Sequence, residues 1–470
     1  MEGGDVWIDP MAPPAERYRN QAKCVNCSPG KDRTIAQWHS SDGIVWHERP
    51  GWQPKPGRLD NQEVIFWDED AEFRGSRGAY YLYTRAPTQN DISVQPLAIR
   101  RFLSRDPFNC TSAIHQDKLD NESCWHDGIV LGGTDPDELD DSTHPRSATT
   151  GANQSWDKWP VEFGSGQVWK VAQTFPTTYI LFAEMHWLWT MTCWKHAPGC
   201  KDPSRPWQSQ NGCVNLPAEE PCQPVDVRLA VSRDGVSFTR QNNTAPAGER
   251  CVGMCDPEAR RALISVGMAG TWMSRSVWAN PNPILSRSGQ ELRLFFNGRN
   301  VDNRNRIDPL GAPGFDTSPV IEGAGFAVFR PDSFFGLRAG YGSTGRGEVV
   351  TKPLFSCGRA GDGDGRWTRA SSASGGVCRG TLPHGWGWAK ELLLNMDSGV
   401  GGELRCELQD ASGKAIPGFT LDESVPMTRN SLRARVRWAG EKPLSSLGSD
   451  QPLRLRFSME DTWLYSFQFV

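Results

Sequence analysis

The residue whose placement most demands a chemical reason is Glu184, an acid inside the otherwise apolar run Ile180-Leu181-Phe182-Ala183-Glu184-Met185-His186-Trp187. A buried, unpaired carboxylate costs several kcal/mol, so this side chain must face solvent or a polar cavity. His186 follows two residues on, the spacing at which side chains of a strand share a face, and makes a natural partner. Glu162 precedes a second strand-like stretch, Gly164-Ser165-Gly166-Gln167-Val168-Trp169. Asp9 closes the apolar run Val6-Trp7-Ile8 and stands before Pro10; Asp60 stands just ahead of the strand-like Glu63–Trp67. Two carboxyl groups on opposite sides of a bond can divide the work, one giving a proton while the other attacks or activates water. Asp9, Asp60, Glu184 and Glu162 are the candidate catalytic acids. His186, Arg101, Arg275 and Trp278 are the candidate substrate-binding residues, with a bidentate arginine suited to an acidic group.

Such acids need a scaffold of strands. The chain has 470 residues, 48 of them Gly and 34 Pro, and long amphipathic helical patterns are almost absent. Short strands with tight turns are the expected texture. Runs within Glu63–Trp67, Ala79–Thr84, Gln167–Ala172, Thr178–Ala183, Val227–Val231 and Leu292–Phe296 read as strands, each β-branched or aromatic and bounded by turn formers. A recurring unit joins them: Ser41-Asp42-Gly43-Ile44-Val45-Trp46 resembles Ser232-Arg233-Asp234-Gly235-Val236-Ser237-Phe238, and Ser104-Arg105-Asp106-Pro107-Phe108 is a weaker relative. Ser, Asp and Gly supply a tight turn, so these aspartates are read as structural. Repetition of this kind predicts propeller blades. Past residue 340 the texture changes: Gly340–Gly345 reads as a linker, and 347–470 as a small antiparallel sandwich.

Composition excludes several function classes. The formal net charge of −4 offers no basic surface for nucleic acid. No stretch approaches the roughly 18 apolar residues that would span a bilayer. The acidic cluster Asp135, Asp137, Glu138, Asp140 and Asp141 lacks the ligand spacing of a calcium loop and reads as a solvated loop, so neither metal nor cofactor is expected. The 13 Cys include Cys193, Cys200, Cys213 and Cys222 in one Trp-rich stretch, Cys24 with Cys27, and Cys251 with Cys255. Their spacing suits disulfides with one thiol left over better than zinc. Sequons at Asn26, Asn109, Asn121, Asn153 and Asn242 point the same way, to a secreted or lumenal glycoprotein. Residues 1–20 carry no signal peptide, and the expectation is that the native N-terminus lies upstream.

A wider pattern runs through Asp9-Pro10-Met11-Ala12-Pro13-Pro14-Ala15-Glu16-Arg17-Tyr18, Asp60-Asn61-Gln62-Glu63-Val64, Val350-Thr351-Lys352-Pro353-Leu354, Gly413-Lys414-Ala415-Ile416-Pro417-Gly418-Phe419 and Leu464-Tyr465-Ser466-Phe467. It resembles the planctomycete-type propeller proteins that are similar to the N-terminal domain of family 32 glycosyl hydrolases. The resemblance implies an all-β fold: a five-bladed-type β-propeller over 1–338, lacking an N-terminal blade in this chain, then a C-terminal antiparallel β-sandwich over 347–470. It also implies three carboxylates in a central funnel, cleaving a glycosidic bond of an oligo- or polysaccharide. The sucrose-cleaving signatures, an Asn-Asp-Pro-Asn start and a Glu-Cys pair, do not occur here. The alternative is a non-catalytic propeller that binds carbohydrate or protein.

Overall fold

The computed structural model describes residues 2–24, 34–48, 64–87, 97–105, 107, 126–130, 132–133, 161–171, 178–187, 225–240, 262–266, 271–273, 276–300, 321–340, 345–354, 386, 389–447 and 452–470. The chain is all-β. It divides into two compact units, one of residues 1–283 with 294–327, the other of 284–293 with 328–470.

In the first unit, antiparallel meanders recur. One contains β1 (Glu2–Ile8), β2 (Tyr18–Cys24), β3 (Thr34–Ser40) and β4 (His47–Glu48) in that order. The next contains β5 (Val64–Phe73), β6 (Ser76–Pro87), β7 (Leu97–Ser104) and β8 (His126–Val130). A short β9 (Gly132–Gly133) pairs with the last strand of the third meander: β10 (Val161–Val171), β11 (Thr178–Trp187), β12 (Val225–Ser232) and β13 (Ser237–Arg240). A fourth group contains β14 (Ser276–Ala279) with most of β16 (Leu292–Arg299) and of β17 (Glu322–Phe329), joined to the third by one parallel pair, Val225 with Ser276; β15 (Ile284–Leu285) belongs to the second unit. Every strand expected from the sequence in this unit overlaps one of these; Glu63 and Ala172, at the ends of two of them, lie outside the described residues.

The recurring turn occupies the same place each time, between the third and fourth strand. Ser40 Oγ donates to Asp42 Oδ1 at 2.9 Å and accepts the Gly43 amide at 2.9 Å, while Asp42 Oδ1 accepts the amides of Ile44 and Val45 at 2.8 and 2.9 Å. Ser232 and Asp234 repeat the scheme: 2.9 Å between them, 2.9 Å to the Gly235 amide, and 2.8 and 2.7 Å to the amides of Val236 and Ser237. The equivalent serine is therefore Ser40, one residue earlier than the sequence match with Ser41. The Val45 and Ile44 amides hold the Asp42 carboxyl below its usual range. At Asp234 burial opposes this, and the Ser237 and Val236 amides prevail. These acids are turn formers, as expected.

Packing orders the meanders. Trp7 packs with Ile65, Tyr80, Leu82 and Phe102. A larger core of Val64, Tyr81, Tyr83 and Ile99 takes in Val168, Tyr179, Leu181 and Ala183 from the third meander. Each Val, Leu or Ile among them contributes about 1.5–3 kcal/mol when fully buried. The Ser232–Asp234 turn is clasped to the second meander: Tyr83 Oη donates to Gly235 O at 2.9 Å and Arg101 Nη1 to Asp234 O at 3.1 Å. Gly235 has φ +70, and a Cβ there would lie 2.7 Å from Tyr83 Oη, so only glycine fits.

The second unit holds β18 (Leu337–Ala339), β19 (Gly347–Val350), β20 (Leu392–Gln409), β21 (Ser431–Arg435) and β22 (Arg454–Phe469). Both β18 and β19, either side of the Gly340–Gly345 stretch, pair with β22. The rings of Phe457 and Phe467 are 6.1 Å apart although ten residues of β22 separate them, about 33 Å in a straight strand. The strand therefore folds back, turning at Asp461, whose φ is +41. Opposite it, the β20 ladder is interrupted between Ser398 and Glu403. A Cβ on Gly402 would come 2.4 Å from the Asp461 carbonyl oxygen, which is why glycine stands at this corner. The halves of β20 and β22 so form the layers of an antiparallel sandwich, closed over Leu392, Leu394, Leu404, Leu408, Phe419 and Leu455.

Candidate functional site

The first strands of the meanders share a direction, which fixes where each acid can be. Asp9, just past the end of β1, reaches Tyr80, whose partner Trp67 adjoins Asp68, the residue of β5 that Lys170 reaches; β1 and β5 therefore run the same way. Along β10, Gly166 abuts Ile99, which pairs with Arg85, and Lys170 reaches Asp68, so β10 also follows β5. All three start at one end of the unit, here called the leading end.

Asp9 lies at the trailing end. Its carboxylate is fully buried and bound on all sides: Oδ1 accepts the Met11 amide and the Tyr80 hydroxyl, both at 2.9 Å, and Oδ2 meets Arg19 Nε at 3.4 Å. Arg19 also pairs with Glu16 at 2.9 Å. This carboxylate holds the β1–β2 turn against the second meander.

Glu162 lies at the leading end. It is eight residues before Lys170, which marks the trailing end, and is thus roughly 25 Å away along the strand. In the β10–β11 ladder Glu162 is the direct partner of His186. The row continues across the sheet: His186 pairs with Val225, Val225 with Ser276, and Ser276 with Arg299. Glu184 lies two residues from His186, paired with Ser165 and Val227, and is fully buried. The ladder thus places Glu162, His186 and Glu184 at neighbouring backbone positions, and Asp9 lies apart from them. Asp60 and Arg275 lie outside the described residues, as do the acidic cluster from Asp135 to Asp141 and the named cysteines other than Cys24. In sequence, Asp60 precedes β5 and Arg275 immediately precedes Ser276.

Arg101 and Trp278 have internal partners. Arg101 is buried, with its guanidinium 4.9 Å from the Tyr81 ring centroid besides its bond to Asp234 O. The Arg299 guanidinium covers the half-buried Trp278 ring at 5.1 Å and pairs with Glu322 at 2.6 Å.

Sequence reasoning passed over Asp68. Its carboxylate is fully buried and accepts Lys170 Nζ at 2.7 Å and the Tyr179 hydroxyl, while Glu69 meets Lys170 at 2.9 Å. The signal was available: an acid within Val64-Ile65-Phe66-Trp67-Asp68 and a lysine within Val168-Trp169-Lys170-Val171 are charges in apolar strands, as Glu184 is. Asp68 is buried while Glu69 is largely exposed, and the cluster ties β5 to β10 and β11.

No family model and no curated relative matches the chain. Among solved structures it overlaps an N-acetylgalactosamine deacetylase from F. plautii, at 14% identity over 70% of this chain and 89% of that one, with a TM-score of 0.24. A glycosyl hydrolase from Bacteroides ovatus gives 14% identity, coverage of 70% and 68%, and a TM-score of 0.27. An exo-inulinase from Aspergillus awamori gives 9%, 100% and 96%, and 0.26. Overlaps at such scores carry no argument about the site.

Proposed function

We propose that this chain is a glycosidase-like, carbohydrate-active protein whose site lies at the leading end of the first unit. The observation that carries the reading is the cross-strand row: Glu162 opposite His186, with Glu184 two residues along β11 and the start of β14 joined at Ser276. The carboxyl pair is the diagonal one, Glu162 with Glu184; diagonal positions of a regular ladder stand about 7–8 Å apart, within the span of inverting pairs in glycosidic hydrolysis, and the irregularity between Phe163 and Ser165 falls between these two. Asp60 and Arg275 adjoin this end in sequence and complete the proposed set, Asp60 as the further acid and Arg275 as a ligand for an acidic sugar. His186 orients the substrate. The resemblance to the family 32 propellers supports the same substrate class.

One observation favours a second reading. Glu184 is fully buried, which suits a structural acid in a non-catalytic carbohydrate-binding propeller. A turnover panel of fructosides, arabinofuranosides, xylosides, galactosides and acidic polysaccharides separates the two. Sugar release by the parent, lost in Asp60→Asn, is the expected result. Binding by both proteins without release by either selects the second reading.

We place the protein in an oxidising compartment, with its cysteines paired apart from one. Among the described residues Cys406 is a free thiol, fully buried in the sandwich, its pKa pushed up by burial and by the neighbouring Glu407, and we assign it as the one left unpaired. A thiol reagent at neutral pH is expected to find no reactive sulfhydryl in the native, oxidised protein and one after denaturation. Several thiols per denatured chain would place the protein in a reducing compartment.

A further inference from the structure

We propose that His39 and His47 form a site for a divalent transition metal of the zinc or copper kind, a property independent of the carbohydrate reading. The two are direct cross-strand partners in the β3–β4 ladder, so their side chains leave the sheet on one face. Their ring centroids lie 5.7 Å apart, with 34° between the ring planes. Two imidazoles on one Zn²⁺, each bonded at about 2.0–2.1 Å, hold their centroids about 5 Å apart. A small rotation of the His47 side chain therefore closes the pair on a metal. His47 is exposed and His39 half-buried, which leaves the approach open to a hydrated ion.

The fold does not itself ask for histidine at this pair. The Ser-Asp turn sets the register of both hairpins that contain it. His39 precedes Ser40 and pairs with His47, as Val231 precedes Ser232 and pairs with Thr239. Positions that hold valine and threonine in one copy of the turn hold two histidines in the other. The nearest cation does not oppose a metal: Arg19, the partner of His39 on β2, has its charge taken up by Asp9 and Glu16. Among the described residues the histidines form no larger group with acids or thiols, so water completes the coordination. Imidazole donors suit Zn²⁺, Cu²⁺ and Ni²⁺, whereas Ca²⁺ and Mg²⁺ take oxygen ligands. A metal held here clips β4, a strand of two residues that pairs among the described strands with β3 alone, to the rest of its meander.

The test is titration calorimetry of the whole chain at neutral pH with Zn²⁺, and with Ca²⁺ as the contrasting ion. It is run beside His47→Gln and beside the double variant His39→Val with His47→Thr, which copies the pair of the third meander. The expected result is Zn²⁺ binding by the parent, weakened roughly tenfold or more in both variants, with no binding of Ca²⁺ at this pair. Electron paramagnetic resonance of the Cu²⁺-loaded parent is expected to show coupling to imidazole nitrogen that His47→Gln loses. Because His47 is exposed, His47→Gln keeps the fold and serves alone should the double variant fail to fold. No Zn²⁺ binding by the parent overturns the proposal, and so does equal affinity in parent and folded His47→Gln. Ca²⁺ binding that His47→Gln removes overturns the assignment to a transition metal.

Discussion

Asp68→Ala is expected to destabilise the first unit by about 3 kcal/mol, read from the denaturant midpoint by far-ultraviolet circular dichroism. Removing one member of a buried ion pair costs about 3–5 kcal/mol, chiefly because the other charge stays buried and uncompensated. Lys170 would keep Glu69 at 2.9 Å, which sets the loss at the low end. The Tyr179 hydroxyl would lose its acceptor as well. Asp68→Leu combined with Lys170→Met removes both charges and is expected to recover most of the loss, because the apolar pair leaves no orphan. A double variant as unstable as the single one would mean that shape rather than charge holds β5 to β10.

The same cluster sets an alkaline limit. Burial pulls Lys170 down, yet the Asp68 charge and hydrogen bond, with Glu69, hold it above its ordinary 10.5. Burial first, then the Asp68 charge, raises Tyr179 far above 10.0. Burial does the same to Tyr83. For all three the folded state keeps protons that the unfolded chain releases, so stability falls as pH rises above about 10. Below that pH these groups are protonated in both states, and their contribution is constant. Asp68→Asn is expected to make the alkaline fall shallower, since without the carboxylate charge that holds it up, burial draws Lys170 down and the folded state no longer keeps its proton, while burial still raises Tyr179.

The fold was legible because strand alternation and Ser-Asp-Gly turns are local signals. The turn from Ser232 to Ser237 needs only its own six residues to close, and it closes with the same hydrogen bonds from Ser40 to Val45. The second unit was readable in type but not in shape. Taken locally, the alternating stretches Glu391–Asn395 and Glu403–Leu408 read as two strands, whereas β20 runs from Leu392 through both and bends at Gly402, because the constraint there is a backbone contact with Asp461, far along the chain. The site was only partly legible for a similar reason. An acid in an apolar strand signals a polar partner without naming it: Glu184, Asp68 and Asp9 look alike in sequence, and their positions at the leading or trailing end depend on how β1, β5 and β10 align. That alignment comes from Asp9 on Tyr80 and Lys170 on Asp68, contacts between meanders that no local window contains.

Those positions turn into different expected kinetics for three acids that the sequence treats as equals. Glu162→Gln is expected to lower kcat by about 10²–10⁴, the range for losing a general acid or base, with an unchanged melting temperature. Asp9→Asn is expected to do the reverse. Its carboxylate serves Met11, Tyr80 and Arg19 at the trailing end, so the variant loses stability while each folded molecule keeps its kcat. Glu184→Gln decides the role of the buried acid. Beside His186 and diagonal to Glu162, a catalytic Glu184 gives a kcat loss as large as that of Glu162→Gln and removes one limb of the pH–rate profile. A structural Glu184 gives a lower melting temperature and an unaltered profile. Should Asp9→Asn abolish turnover in folded protein while Glu162→Gln leaves it intact, the site would lie at the trailing end, and the cross-strand row of Glu162, His186 and Ser276 would be scaffold alone.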